Sequence, residues 1–240
     1  MANRFPQLVL FLLLGLASAC CVAEDGVEVR TTTTLASHDQ AKGSELSPRY
    51  TPISELVVAK KLDEAAAQAR DLRADFEALF DPKLAHYCFQ TKAEYEEFIQ
   101  DKRISFEWID WSYCLTLKAQ AFIAAERGQY ADALMQLRTL EVVAPLSAGT
   151  LTETAFTLGR LQRKDEALAL YRNALALARK FKSQTAYQPI ALRGIGFMLV
   201  EVGKLDEAEQ AYKESLQLDP GNKIAESELE YIRSVRARKS

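Results

Sequence analysis

The sequence predicts an all-α protein: a short α-solenoid of helix-turn-helix repeats with an atypical helical insert and a C-terminal capping helix. Three observations carry that reading. Lys61-Leu62-Asp63-Glu64-Ala65, Gln129-Tyr130-Ala131-Asp132-Ala133, Lys164-Asp165-Glu166-Ala167 and Leu205-Asp206-Glu207-Ala208 each open a helical pattern, and their alanines lie 68, 34 and 41 residues apart. The first interval is twice the second. Leu117, Leu151 and Leu192 stand at equal distances before three of these alanines, as do the small residues Ala121, Ala155 and Gly196, so each unit has a matching first helix. Composition agrees, with seven prolines, ten glycines and abundant Ala, Leu, Glu, Lys and Arg among 240 residues that are 48% hydrophobic.

In chain order, Arg4 precedes the apolar run Phe5 to Leu16 and the small residues Ala17-Ser18-Ala19, the layout of a secretory signal over 1–23. Cleavage fits near 19/20 or 23/24. Leu16-Ala17-Ser18-Ala19-Cys20 also resembles a bacterial lipobox, which would make Cys20 a lipidated first residue and attach the chain to a membrane surface. A simply cleaved exported protein is the alternative. Either way the chain is expected to be exported: a periplasmic protein or outer-membrane lipoprotein in a bacterium, otherwise secreted. Residues 24–50 are polar with a threonine run and predict a flexible linker, in which His38 is solvated.

Residues 46–113 predict a degenerate helical repeat followed by an aromatic-rich insert. Pro52 suits the first turn of a helix over roughly 52–60 with Thr51 as its cap. In the insert, Asp81-Pro82 predicts one helix start, and Thr91-Lys92-Ala93-Glu94 is a capping box for another. Three better repeats follow over 114–222, at 114–147, 148–188 and 189–222. Gly128 and Gly203 supply the permissive backbone of two tight turns, whereas the middle repeat has Gln162 there. That repeat also carries seven extra residues, which predict a longer second helix. Ala225, Leu229 and Ile232 then form one stripe of a cap over 223–240, ending in the basic tail Arg233, Arg236, Arg238 and Lys239.

With Leu192, Gly196, Leu199, Gly203, Ala208, Tyr212 and Pro220, the 189–222 unit resembles the tetratricopeptide repeat. Leu117, Ala121, Ala124, Gly128, Ala133, Leu137 and Pro145 repeat the pattern; Leu151, Ala155, Leu158, Ala167, Tyr171 and Ala174 keep most of it. The resemblance implies a right-handed solenoid whose first helices face a concave groove. It is specific for fold rather than for function.

Function classes narrow by exclusion. A net charge of −3 does not favour nucleic-acid binding. No HExxH, phosphate loop, dinucleotide glycine pattern or nucleophile elbow occurs, and two histidines, His38 and His86, poorly support a histidine-based catalytic set. The expectation is therefore a non-enzymatic interaction module with no cofactor and no metal. The resemblance places its candidate groove residues at Lys118, Phe122 and Glu126, at Thr152, Phe156 and Arg160, and at Arg193, Phe197 and Glu201. Four-residue spacing gives each trio one helical face, an apolar ladder flanked by mixed charge that suits an extended peptide or a helix. Coverage of the phenylalanines by neighbouring helices is the competing reading. Self-association through solenoid ends or grooves is a further binding mode.

The second functional class is thiol redox or other enzymatic chemistry in the insert, with Cys88, Cys114 and His86 as its candidates. In an oxidising compartment Cys88 and Cys114 could form a disulfide tying the insert to the first good repeat; two buried reduced thiols are the alternative. The insert also concentrates Phe80, Tyr87, Phe89, Tyr95, Phe98, Phe106, Trp108, Trp111 and Tyr113. Packing against the solenoid explains them first, and a ligand pocket second.

Overall fold

The structure, a computed structural model, describes residues 41–100 and 104–238. The signal segment, Cys20 and residues 24–40 therefore lie outside the described residues, as does Lys239.

The described residues hold ten α-helices, eight of them in the pairs of the solenoid. Four helix pairs repeat along the chain: α1 (Tyr50–Val58) with α2 (Leu62–Ala78), α4 (Trp111–Glu126) with α5 (Tyr130–Val143), α6 (Ala148–Arg160) with α7 (Lys164–Lys180), and α8 (Tyr187–Glu201) with α9 (Leu205–Leu218). The insert between α2 and α4 holds β1 (Ala85–Cys88), α3 (Lys92–Ile99) and β2 (Phe106–Ile109), and α10 (Lys223–Ala237) closes the far end.

One turn geometry joins all four pairs. Lys60, Gly128, Gln162 and Gly203 have φ of 58°, 74°, 63° and 79°. Their amides donate to the carbonyls of Val57, Ala125, Gly159 and Val200, and the following amides, Lys61, Gln129, Arg163 and Lys204, reach back to Leu56, Ala124, Leu158 and Leu199. These paired bonds satisfy carbonyls left over at the end of each first helix. Lys60 and Gln162 therefore adopt the left-handed backbone that glycine takes in the other two turns, at a steric cost of about 1 kcal/mol each.

Beyond each turn, Ala65, Ala133, Ala167 and Ala208 are wholly buried where the two helices of a pair meet. Larger side chains fill the crossings between neighbours. A Cβ on Gly196 would stand 2.8 Å from the Tyr212 ring, and one on Gly194 only 2.2 Å from the ring of Tyr171. A single run of packing from Ala155 to Ile232 joins the last two repeats to the cap. α10 buries Ala225, Leu229 and Ile232, and Arg236 ion-pairs with Asp206 and Glu209 of α9 at 2.5 Å each, so this tail arginine holds the cap down.

Repeat 148–188 uses its extra length in two ways. α7 has 17 residues against 14 in α5 and α9, and a single 3-10 turn at Lys182–Gln184 leads into α8.

Four expectations need correction. The insert is not purely helical: β1 and β2 pair in parallel, Ala85 with Phe106 through Cys88 with Ile109. Asp81-Pro82 starts no helix, because the Asp81 carboxylate accepts from the Lys83 amide and the chain turns into β1 instead. The flexible linker expected over 24–50 does not extend through Ala41 to Tyr50. There Lys42 brackets β2, donating its amide to the Trp108 carbonyl and accepting from the Asp110 amide, and Ser44–Arg49 form a 3-10 helix that runs directly into α1. Thr51 therefore lies inside the helix rather than capping it, and its carbonyl accepts from the Ser54 hydroxyl. The Thr91 cap does form, accepting from the Glu94 amide, while Glu94 reaches back to the amide of Gln90 at 2.7 Å.

Candidate functional site

The sequence places nine groove residues on three first helices, and the structure lets each be followed to its partners. On α4, Lys118 is 9% exposed, with its Nζ 2.8 Å from Glu153 of α6. Burial alone would lower the lysine's pKa; Glu153, with Tyr187 and Tyr50 nearby, outweighs it and holds the ammonium charged above its ordinary range. Tyr50, at the start of α1, is pushed up to about 12, chiefly by burial. A Cβ on Gly149 would stand 2.7 Å from the Tyr187 ring, so α8 packs onto α6 at this same end. Tyr50, Lys118, Glu153 and Tyr187 thus gather α1, α4, α6 and α8 around one buried ion pair.

The other polar members are also engaged within the chain. Glu126 bonds Lys60 at 2.6 Å and Glu201 bonds Lys164 at 2.8 Å, both across the first turn of a neighbouring pair. Arg160 lies 4.7 Å from the centre of the Tyr130 ring, Thr152 donates to the Ala148 carbonyl within its own helix, and Arg193 binds Asp219 at 2.9 Å and the Ser215 hydroxyl at 3.3 Å. Arg193 is half-buried, and desolvation lowers its pKa despite Asp219.

Nor do the phenylalanines form one exposed ladder. Phe122 is buried in a small cluster with Val57, Ala65, Ala66 and Ile123, whereas Phe197 is buried in the C-terminal core and Phe156 packs half-exposed against that core. The candidate face is therefore closed by buried groups toward Lys118. It retains accessible surface at its other end, through Phe156, Arg160, Glu126 and Glu201.

The insert carries a different constellation. Cys88 on β1 and Cys114 on α4 form a disulfide with Cα atoms 6.5 Å apart, both residues almost fully buried. His86 stacks on Phe80 at 4.2 Å, and its Nε2 stands 3.1 Å from Glu107 without the alignment of a hydrogen bond. His86 is thus turned to a carboxylate. Glu107 in turn pairs with Lys42 and accepts from the Asp81 amide, tying together the N-terminal segment, the insert entry and β2. Tyr87, Phe89, Tyr95, Phe98, Phe106 and Trp108 pack ring against ring around the two strands, with Tyr95 stacked on Trp108 at 4.9 Å. No group of three or more His, Cys, Asp or Glu side chains suited to a metal ion is found among the described residues.

Sequence reasoning missed the contact that fastens the insert to the repeats. Glu94 of α3 is buried and accepts from the Ser183 hydroxyl and the Gln184 amide group, at 3.2 and 2.9 Å. Gln184 also donates to the Leu146 carbonyl and accepts from the Ala148 amide, while Lys180 reaches Glu97 at 2.5 Å. Desolvation raises the Glu94 pKa, and the donors around it only partly offset that burial. The Thr91 capping pattern announced Glu94, but nothing local announced its partner 90 residues away.

With this geometry in place, comparison with known proteins settles the repeat type. The tetratricopeptide repeat family model matches residues 146–220. The helix pairs within that span, α6 with α7 and α8 with α9, are tetratricopeptide repeats. Among solved structures, the chain is similar to PilW, a widely conserved type IV pilus biogenesis factor, at 19% identity and a TM-score of 0.58, covering 80% of this chain and 70% of that one. It is similar to MamA at 15% identity and a TM-score of 0.53, covering 80% and 84%. A shorter likeness, to the first TPR of Spaghetti (RPAP3) bound to an HSP90 peptide, is 26% identical over 52% of this chain and 93% of that one, with a TM-score of 0.47. The search of curated proteins finds no match.

Proposed function

We propose that the chain is an exported, non-enzymatic interaction module that holds a protein or peptide segment against the accessible end of its concave face. The observation that carries this is the asymmetry of that face: the Lys118–Glu153 pair fills one end, and Phe156, Arg160, Glu126 and Glu201 remain reachable at the other. Four identical turns hold the first helices in register, so the contact residues are ordered before a partner arrives and less entropy is lost on binding. A segment with one apolar side chain for Phe156 and alternating charge for Arg160 and the two glutamates fits the surface.

Export is supported independently of the N-terminal sequence by the Cys88–Cys114 bridge, since structural disulfides persist in oxidising compartments. Attachment to a membrane through a lipidated Cys20 is part of the proposal, and mass spectrometry of the mature N-terminus tests it. For the groove, the experiment is capture of partners from the native envelope by the wild type and by Phe156→Ala and Arg160→Glu variants. Loss of the same partner from both variants supports the reading, and unchanged capture overturns it. Self-association is the outcome if the captured partner is a second copy of the chain.

Thiol redox chemistry is the second reading, favoured by the presence of the bridge itself. It requires the disulfide to cycle, yet both cysteines are 1–2% exposed and His86 faces Glu107. Thiol titration before and after mild reduction separates a resistant structural bridge from one that turns over.

A further inference from the structure

A cavity lies away from the candidate face, where the insert meets the repeats. It has a volume of about 550 Å³ and is lined by Glu77, Phe80, Pro82, Ala85, His86, Tyr87, Tyr113, Val142 and Val143. That size is ordinary for a small-ligand site. None of the nine groove residues borders it.

Its electrostatics lean to one sign, with His86 the single basic side chain in the lining. Glu77 and the residues beside it close α2, and Val142 and Val143 close α5, so two helix C-termini meet at the cavity and both present the negative end of a helix dipole. The Glu77 carboxylate adds negative charge that its ion pair with Arg73 offsets in part. Its Oε1 accepts from Arg73 at 2.7 Å and from the Tyr113 hydroxyl at 3.1 Å, while its Oε2 has no partner among the described residues. Arg73 is also held by Gln120 and Gln136 and is not among the lining residues, which include neither lysine nor arginine. The opposing influence, the N-terminus of α4 near Tyr113, is already capped by the Asp110 carboxylate, which accepts from the Ser112 amide. The walls are aromatic and aliphatic, and aromatic rings attract cations as well as apolar bodies.

We propose that this cavity binds an organic cation: an ammonium or guanidinium head, set near Glu77 Oε2, on an apolar or aromatic body that packs between Phe80, Tyr87, Tyr113 and Val142. An anionic ligand would meet a carboxylate and two helix C-termini, and the one basic side chain in the lining, His86, already faces Glu107. A wholly apolar ligand would leave that potential unused. The cavity is also preformed. Tyr87 and Tyr113 each immediately precede a cysteine of the Cys88–Cys114 bridge, so the covalent link fixes two of its walls relative to each other.

The test is calorimetric or ligand-detected magnetic resonance titration of the full mature protein with phenethylammonium and, separately, with 3-phenylpropanoate, which keeps the ring and reverses the charge. The ammonium should bind and the carboxylate should bind at least about threefold more weakly, the size of one solvent-exposed cation contact. Glu77→Gln, which preserves shape and can still accept from Tyr113, should weaken the ammonium by about the same factor. Val142→Lys, at a rim position 67% exposed and so harmless to folding, should weaken it as well. Competition by an acetylated arginine-phenylalanine dipeptide amide would assign the cation to a partner's side chain, and failure to compete would assign it to a free amine; both outcomes uphold the site. Equal binding of the two charges, binding of neither, or an ammonium affinity unchanged in both variants would overturn the proposal.

Discussion

The three repeats over 114–222 and the insert over 79–110 reach order by opposite routes. In the repeats, the same turn recurs with the same two backbone hydrogen bonds, and a wholly buried alanine follows each. The turn and the helix crossing are copies of a neighbour's, so stability accumulates from unit and interface contributions. The insert has no such copy. Two four-residue strands and one short helix bury little by themselves, and the segment is secured by a disulfide, the Glu94–Gln184 network and a bracket from Lys42. Regular packing builds the face proposed for a partner, whereas single, non-repeated fastenings build the cavity beside the insert.

That contrast can be broken most strongly at the bridge. Replacing both Cys88 and Cys114 by serine should cost about 2–4 kcal/mol, measured by denaturant unfolding. Hydrogen exchange should rise across residues 85–109 while α6 to α9 stay protected. Uniform loss of protection would show that the insert is an integral part of the solenoid. Within the repeats, Gly194→Ala should cost about 1–3 kcal/mol, because its methyl group overlaps the Tyr171 ring, and the loss should appear in thermal unfolding of the whole array.

Smaller effects sharpen the comparison. Gln162→Gly should stabilise the protein by about 0.5–1 kcal/mol, since it relieves the left-handed backbone at φ 63° in a turn where the neighbouring repeats use glycine. A destabilising result in denaturant unfolding would mean that the Gln162 side chain contributes more than its backbone costs. Glu94 gives a pH signature. Its folded pKa is raised, so the protonated form is favoured by folding, and its contribution grows as pH falls from neutral through that raised value and vanishes as pH rises above it. The stability of the wild type relative to Glu94→Gln should therefore increase on acidification, read as a widening difference in melting temperature. A difference independent of pH would contradict the burial argument.

What the sequence revealed follows the same division. The repeat turns were legible because a period of 34 residues needs no knowledge of tertiary contacts, and even the Gln162 turn was placed by register despite its residue type. The strands were not legible. Ala85–Cys88 and Phe106–Ile109 are too short for alternation to distinguish strand from helix, and their parallel partners are separated by all of α3. The ordering of Lys42 to Arg49 was hidden for the same reason, since it depends on the exposed edge of β2. At the candidate site, four-residue spacing identified the trios on α4, α6 and α8, but spacing cannot show that Lys118 meets Glu153 or that Arg193 meets Asp219. Those pairings convert expected partner contacts into internal ones and leave the accessible end of the face as the part to test.

The central claim is that the partner is held at that end. The most direct measurement is the affinity of the captured partner for the purified wild type, for Phe156→Ala combined with Arg160→Glu, and for Val142→Lys at the cavity beside the insert. Weakening of at least about tenfold by the first variant, with the second unchanged, is the predicted result. An unchanged affinity for the groove variant, or a loss confined to Val142→Lys, would contradict it and move the partner site to the insert.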